Sequence, residues 1–138
     1  MMVLVDTSVL SLILRKENND THTKEFVSLL TENHAFIIGP IKQELLSGIS
    51  DERQFNLLKD KLKAIPEILI TNEDYEKAAS FFNICRKKGV QGSHIDFLIC
   101  AVAHHNNMTI YTLDKDFIHF QKHLNVKLYS VDKTEFVD

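Results

Sequence analysis

Glycine and proline are scarce in this 138-residue chain, four and two respectively, and tryptophan is absent. That composition excludes collagen-like and Gly- or Pro-rich disordered architectures. Cysteine is nearly missing as well. Cys85 and Cys100 each sit in an apolar helical pattern rather than in a ligand-spaced pair, so both read as buried thiols and neither a disulfide scaffold nor structural zinc is expected. Long apolar runs are also lacking: the longest, Phe97 to Ala103, has seven residues, against the roughly 20 needed to span a bilayer. The opening stretch MMVLVDTSVLSLIL has no basic leader and no small-residue cleavage site, and it carries Asp6 in its middle. It reads as structure rather than as a signal peptide, and a cytoplasmic protein is expected.

An excess of positive charge is missing too. The formal net charge is −3, which argues against a generic basic nucleic-acid binder, whose domains usually exceed about pI 9. The objection weakens if several of the acids belong to a divalent-metal site. No G-x-x-x-x-G-K-[ST] or G-x-G-x-x-G loop occurs, so nucleotide binding by glycine-rich loops is disfavoured. Asp6-Thr7-Ser8 lacks the second aspartate that haloacid-dehalogenase phosphatases require, and Ile70-Thr71-Asn72 supplies no acid for a receiver domain.

What is present is an ordinary globular balance, 44% hydrophobic and 25% charged, expected to form one domain over residues 1–138. Short β-branched and aliphatic segments at 3–6, 35–38, 67–70, 108–112 and 126–131 read as buried strands. Amphipathic stretches at 8–16, 21–32, 40–47, 51–64, 73–88, 93–106 and 115–122 read as helices. Strands alternating with helices predict an α/β fold of three layers: a central, mostly parallel five-stranded sheet with helices on both faces. The stretch 51–64, with Phe55, Leu58, Leu62 and Ile65 on one side and Lys59, Lys61 and Lys63 interspersed, reads as a peripheral helix.

In open α/β sheets ligands bind beyond the carboxyl ends of the strands, where strand order reverses, so acids there are the candidates for chemistry. Asp6 follows Val3-Leu4-Val5, and Asp114 and Asp116 follow the strand that ends near Thr112. Each could equally be a turn residue or a helix cap. Asp96 opens an otherwise apolar helix, where the free N–H groups of the first turn, with Ser93 as cap, would favour it, or where a cation would. Glu44 has Pro40, Ser47 and Gly48 as helical neighbours, which leaves space for an ion, although an isolated glutamate is ordinarily a solvated surface residue. Acids converging on one edge need neutralising, and hard oxygen donors select Mg²⁺ or Mn²⁺.

The motifs V-L-V-D-T-S-V-L around Asp6, I-K-Q-E-L-L-S-G around Glu44, I-D-F-L-I-C-A-V-A at Asp96 and Y-T-L-D-K-D-F around Asp114 and Asp116 occur in one order along nearly the whole chain. In this the sequence resembles the PIN-domain ribonucleases, most closely the VapC-type toxins of toxin–antitoxin pairs. It departs from many of them in the bulk of Phe97-Leu98-Ile99-Cys100 beside the acid. The resemblance implies an Mg²⁺- or Mn²⁺-dependent endoribonuclease with Asp6 and Asp96 as principal metal ligands. Glu44 and Asp114 would complete the acidic site, with Asp116 a fifth acid. Thr112 would orient water or an acid, and Thr7 and Ser8 would support the site or cap a helix.

The expected reaction is hydrolysis assisted by one or two metal ions, leaving 5′-phosphate and 3′-hydroxyl ends. Expected partners are an RNA substrate, a VapB-like antitoxin and a second copy of the chain, with the apolar side of 51–64 a candidate contact surface. Lys42, Lys59, Lys61, Lys63, Arg86, Lys87 and Lys88 are candidates for phosphate contacts, and no aromatic platform for base stacking is evident. The chain is too short to house the helical insertions of DNA flap nucleases, which favours RNA. Two alternatives remain open: a non-catalytic interaction module on the same scaffold, and a metal-independent ribonuclease using one of seven histidines, such as His94. His119 and His123, four apart, could also chelate a transition metal.

Overall fold

A computed structural model describes residues 1–14 and 20–131. Strands β1 (Val3–Val5) and β3 (Thr109–Tyr111) form the centre of the sheet, flanked by the two-residue strands β2 (Ala35–Phe36) and β4 (Lys127–Leu128). All pairings are parallel and the order is β2-β1-β3-β4. Val3, Leu4 and Val5 are each fully buried. Since successive side chains of a strand point to opposite faces, burial of all three means that both faces of the sheet are covered.

Among the described residues the sheet has four strands, not five. At the expected fifth position only Glu67 pairs, in a single parallel bridge to Ile37 beyond β2. Pro66 offers a carbonyl to Ile37 but has no N–H to give, and Leu69 is 85% exposed. A proline at the edge and a solvated leucine stop the ladder after one rung. The other segments match the expected element types, with ends shifted by a few residues. The helix expected over 8–16 is α1 (Thr7–Leu14), residues 15–16 lying outside the described residues.

The remaining helices are α2 (Asp20–Thr31), α3 (Gly39–Leu46), α4 (Glu52–Leu62), α5 (Asn72–Lys87), α6 (His94–His105) and α7 (Asp116–Gln121). As the 51–64 pattern implies, α4 is peripheral: Leu62 and the following Ile65 are buried, while Leu57 is half exposed. The apolar run Phe97–Ala103 of α6 is buried throughout, and α5 packs along it. Thr71 and Asp74 form a capping box at the start of α5. Asp74, 2% exposed, uses its other oxygen to hold His105 Nδ1 at 2.9 Å, near the end of α6. The two helices thus form an antiparallel hairpin, turned by Gly89 at φ 75°. Cys85 and Cys100 are both free and buried.

The last residues of that turn lie flat against aromatic rings. A Cβ on Gly92 would stand 2.5 Å from Phe120 Cζ and 2.9 Å from Phe97 Cε2, and both rings are buried and unable to retreat. Gly92→Ala is therefore expected to destabilise the fold by about 1–3 kcal/mol in urea denaturation, the range for an overpacked core.

Candidate active site

The register of β1 against β3 decides where the first acid stands. Val3, Leu4 and Val5 pair with Thr109, Ile110 and Tyr111. One residue further on, the N–H of Asp6 still donates to the Tyr111 carbonyl at 2.9 Å. Asp6 therefore leaves the sheet opposite Thr112, between strands whose connections run in opposite directions. It is 6% exposed. A carboxylate buried to this degree needs hydrogen-bond donors or a cation.

Two hydroxyls supply part of the need. Ser8 Oγ donates to Asp6 Oδ2 at 2.9 Å and Thr112 Oγ1 donates to the same atom at 2.7 Å. Each hydroxyl is in turn oriented by the backbone, Ser8 accepting from the N–H of Leu113 at 2.9 Å and Thr112 from the N–H of Asp114 at 3.0 Å. With both hydroxyls on Oδ2, Oδ1 keeps its lone pairs for another partner. The carbonyl of Asp6 accepts from the N–H groups of Val9 and Leu10, so the residue also starts α1.

The other acids repeat the arrangement of one restrained oxygen. Asp96 lies in the first turn of α6 and forms a reciprocal capping box: Ser93 N donates to Asp96 Oδ2 at 3.0 Å, and Asp96 N to Ser93 Oγ at 3.1 Å. Asp114 Oδ1 accepts from the N–H of Asp116 at 2.9 Å, ahead of α7. Glu44, exposed on α3, accepts at Oε1 from Thr7 Oγ1 at 2.8 Å, which links it to the residue beside Asp6. The capping role open to Asp96 in the sequence is thus real, while Asp114 takes the turn role, the cap position of α7 being Lys115.

Asp96 feels the charge of two of the other acids. Burial pushes the Asp96 carboxyl above its usual range, hydrogen bonding from Ser93 pulls it back, and the charges of Asp6 and Asp114 push it up further. The carboxylate of Asp116 is exposed, and only its backbone N–H joins the group. Among the described residues, no Lys, Arg or His lies within ion-pair distance of Asp6, Glu44, Asp96 or Asp114.

Whether these donors suit a hard cation can be judged from their chemistry. Among the described residues, no three His, Cys, Asp or Glu side chains stand close enough to enclose a metal ion, so this is not a preformed cage. Mg²⁺ does not ask for one, since it keeps several waters and takes one or two carboxylates. An all-oxygen, partly exposed group in which one oxygen of each acid has no hydrogen-bond partner among the described residues fits that habit.

Several of the histidines have partners other than these acids. His94 stacks on Phe82 with centroids 5.1 Å apart, His104 Nδ1 meets the Asn125 carbonyl, and His105 holds Asp74. Phe82 and His94 lie on different helices, and only the α5–α6 hairpin brings their rings together. His22, not singled out in the sequence, is buried, and its Nδ1 meets the hydroxyl of Tyr111, the residue before Thr112. Tyr129 donates to Glu25. Together these bonds tie α2 to the strand ends that carry the site. A lone histidine in an amphipathic helix carries no pattern that would have marked it.

A family model described as PIN domain matches residues 3–123. Comparison with curated proteins finds no match. Among solved structures, the chain is similar to VapBC2 from Rickettsia felis bound to a DNA fragment from its promoter, with a TM-score of 0.79 at 20% identity, covering 96% of this chain and 100% of that one. FitAcB from Neisseria gonorrhoeae gives 0.73 at 20% identity, covering 94% and 97%. DNA-bound VapBC from Salmonella typhimurium gives 0.75 at 13% identity, covering 94% and 97%. At these identities the likeness is one of fold.

The raised Asp96 carboxyl sets a sign for stability against pH. Its folded form holds a proton to higher pH than its unfolded form, so stability of the metal-free protein falls as pH rises through that window and stays lower above it. Asp96→Asn, which keeps an oxygen for the Ser93 N–H, is expected to raise the metal-free Tm by a few degrees at pH 7. The gain should vanish below the ordinary carboxylate range, where both states are protonated. Thermal melts in EDTA across pH check this.

Proposed function

The chain belongs to the PIN domain family, and from that premise we propose that it is a divalent-metal-dependent endoribonuclease, the toxin of a VapBC-type pair. The observation that best supports the reading is that Asp6 and Asp114, linked through Thr112 at the carboxyl edge of the sheet, act by their charge on Asp96, with no basic side chain among the described residues within ion-pair distance of them. A phosphodiester would be repelled from such a place without a cation. Asp6 and Asp96 would be the principal holders of Mg²⁺ or Mn²⁺, with Asp114 and Glu44 beside them and Asp116 further out. A cation held there would activate water and offset charge on the scissile phosphate.

The chain's own contribution is orientation. Ser8 and Thr112 fix the Asp6 carboxylate by one oxygen, the Ser93 cap fixes Asp96, and Thr7 draws Glu44 towards the start of α1. In-line attack by water would leave 5′-phosphate and 3′-hydroxyl ends.

The toxin role is supported by fold likeness to proteins named as VapBC complexes. A VapB-like antitoxin and a second copy of this chain are the partners proposed with it. No helix among the described residues is long and apolar enough to cross a membrane, and a cytoplasmic location is part of the same proposal. Co-expression with the small reading frame adjacent to the gene is expected to give a complex that survives purification and to relieve growth arrest. Absence of both effects would leave a nuclease outside a toxin–antitoxin pair.

Purified protein is expected to cut single-stranded RNA with Mg²⁺ or Mn²⁺ and to stop in EDTA. Asp6→Asn and Asp96→Asn should each lower the rate by more than about a hundredfold, whereas Thr112→Val, which removes a supporting hydroxyl, should lower it by roughly 10–100-fold. Cleavage that persists in EDTA and yields cyclic phosphates would move the reaction to a histidine such as His94. A folded, metal-loaded protein without cleavage would favour the interaction module.

A further inference from the structure

The hairpin of α5 and α6 leaves a pocket of about 280 Å³ between the end of α5 and the loop into α6. Its walls are Phe82, Arg86, Val90, Gln91, Gly92 and Phe97. That volume lies just below the roughly 300–1,000 Å³ typical of small-ligand pockets, the scale of one flat ring system rather than of a peptide segment. Two of its walls, Gly92 and Phe97, flank the Ser93–Asp96 cap along the chain. Ser93, the residue after Gly92, is the one whose N–H donates to Asp96 Oδ2.

The wall chemistry narrows the occupant. Phe82 is half-buried and held in position by His94, stacked at 19° between planes, and by the edge of Phe97 at 5.6 Å. The Arg86 guanidinium stands 5.9 Å from the Phe82 ring centroid. Gln91, exposed at the mouth, carries an amide that both donates and accepts. Lys87 and Lys88 continue the positive charge outward from Arg86, and both are exposed. An aliphatic ligand would have no use for the amide or the guanidinium, and a free phosphate none for the aromatic wall. A planar, hydrogen-bonding ring attached to a phosphate uses all of them.

We propose that this pocket is a base-binding subsite, which holds one nucleobase of the RNA strand whose scissile phosphate lies over the acids, with the basic end of α5 taking the adjoining phosphates. The proposal rests on the ribonuclease reading and adds a source of sequence preference to it. It also explains why charge is distributed unevenly in a chain of net −3: the acids face the reacting phosphate, and the Arg86 to Lys88 cluster faces the rest of the strand.

An abasic scan tests it without disturbing the fold. Cut sites are mapped on a short RNA, and one abasic nucleotide is then moved along the strand. At a single fixed distance from the cut, loss of the base is expected to raise KM by about tenfold with little change in kcat, the effect of one lost stack. In the double variant Arg86→Ala, Gln91→Leu, both positions being exposed, intact and abasic strands should behave alike. A scan in which no position stands out overturns the subsite, as does a sensitive position that the double variant leaves unchanged.

Fluorescence anisotropy with the Asp6→Asn protein and the same oligonucleotides separates the two levels. Abasic-sensitive binding, with no cutting by the wild type, would keep the subsite and remove the nuclease reading. Cutting by the wild type with abasic-insensitive binding would do the reverse.

Discussion

Four carboxylates are each held by one oxygen and left open at the other, and the rest of the site depends on this division. Asp6 gives Oδ2 to two hydroxyls, Asp96 gives Oδ2 to a backbone N–H, Asp114 gives Oδ1 to another, and Glu44 gives Oε1 to Thr7. The restrained oxygens fix direction, because a charge-assisted hydrogen bond is both shorter and stronger than a neutral one. Burial does most to raise the proton affinity of Asp96, and the charges of Asp6 and Asp114 add to it. Burying a carboxyl such as Asp96 near other acids costs free energy in its charged form.

The hydrogen-bond partners are themselves structural elements. Ser93 and Asp96 start α6, and Asp114 prepares the start of α7. The same residues that end loops and begin helices therefore aim the acids, so a shift of either helix would move the site. The hairpin of α5 and α6 is pinned at its far end by Asp74 and His105 and at its near end by Gly92 lying on Phe97 and Phe120. Its stiffness is passed to Asp96 through one cap.

Much of this was legible in the sequence. Alternation of short apolar segments with amphipathic ones determines a parallel sheet flanked by helices, and the all-round apolar run Phe97–Ala103 determines a helix with no solvent face. The expected fifth strand does not form at 67–70: the segment has strand composition, but the ladder depends on what Pro66 can donate and on whether Leu69 is covered. Propensity describes a segment, whereas an edge strand exists only through its neighbour. Asp6, Asp96 and Asp114 stood out because acids at strand ends and in an apolar helix demand an explanation. His22 and the Phe82–His94 stack did not, since neither lies in a pattern that local spacing can reveal.

By itself the sequence determined which residues carry charge, where strands and helices begin, and which acids sit at their ends, because all of these follow from local chemistry along the chain. Only the tertiary structure decided that Thr112 and Ser8 share one oxygen of Asp6, that Thr7 reaches Glu44, and that an aromatic pocket opens beside Asp96. Those relations join residues as much as 106 positions apart. They are set by sheet register and by helix packing, which are properties of pairs of segments and are written in neither one alone.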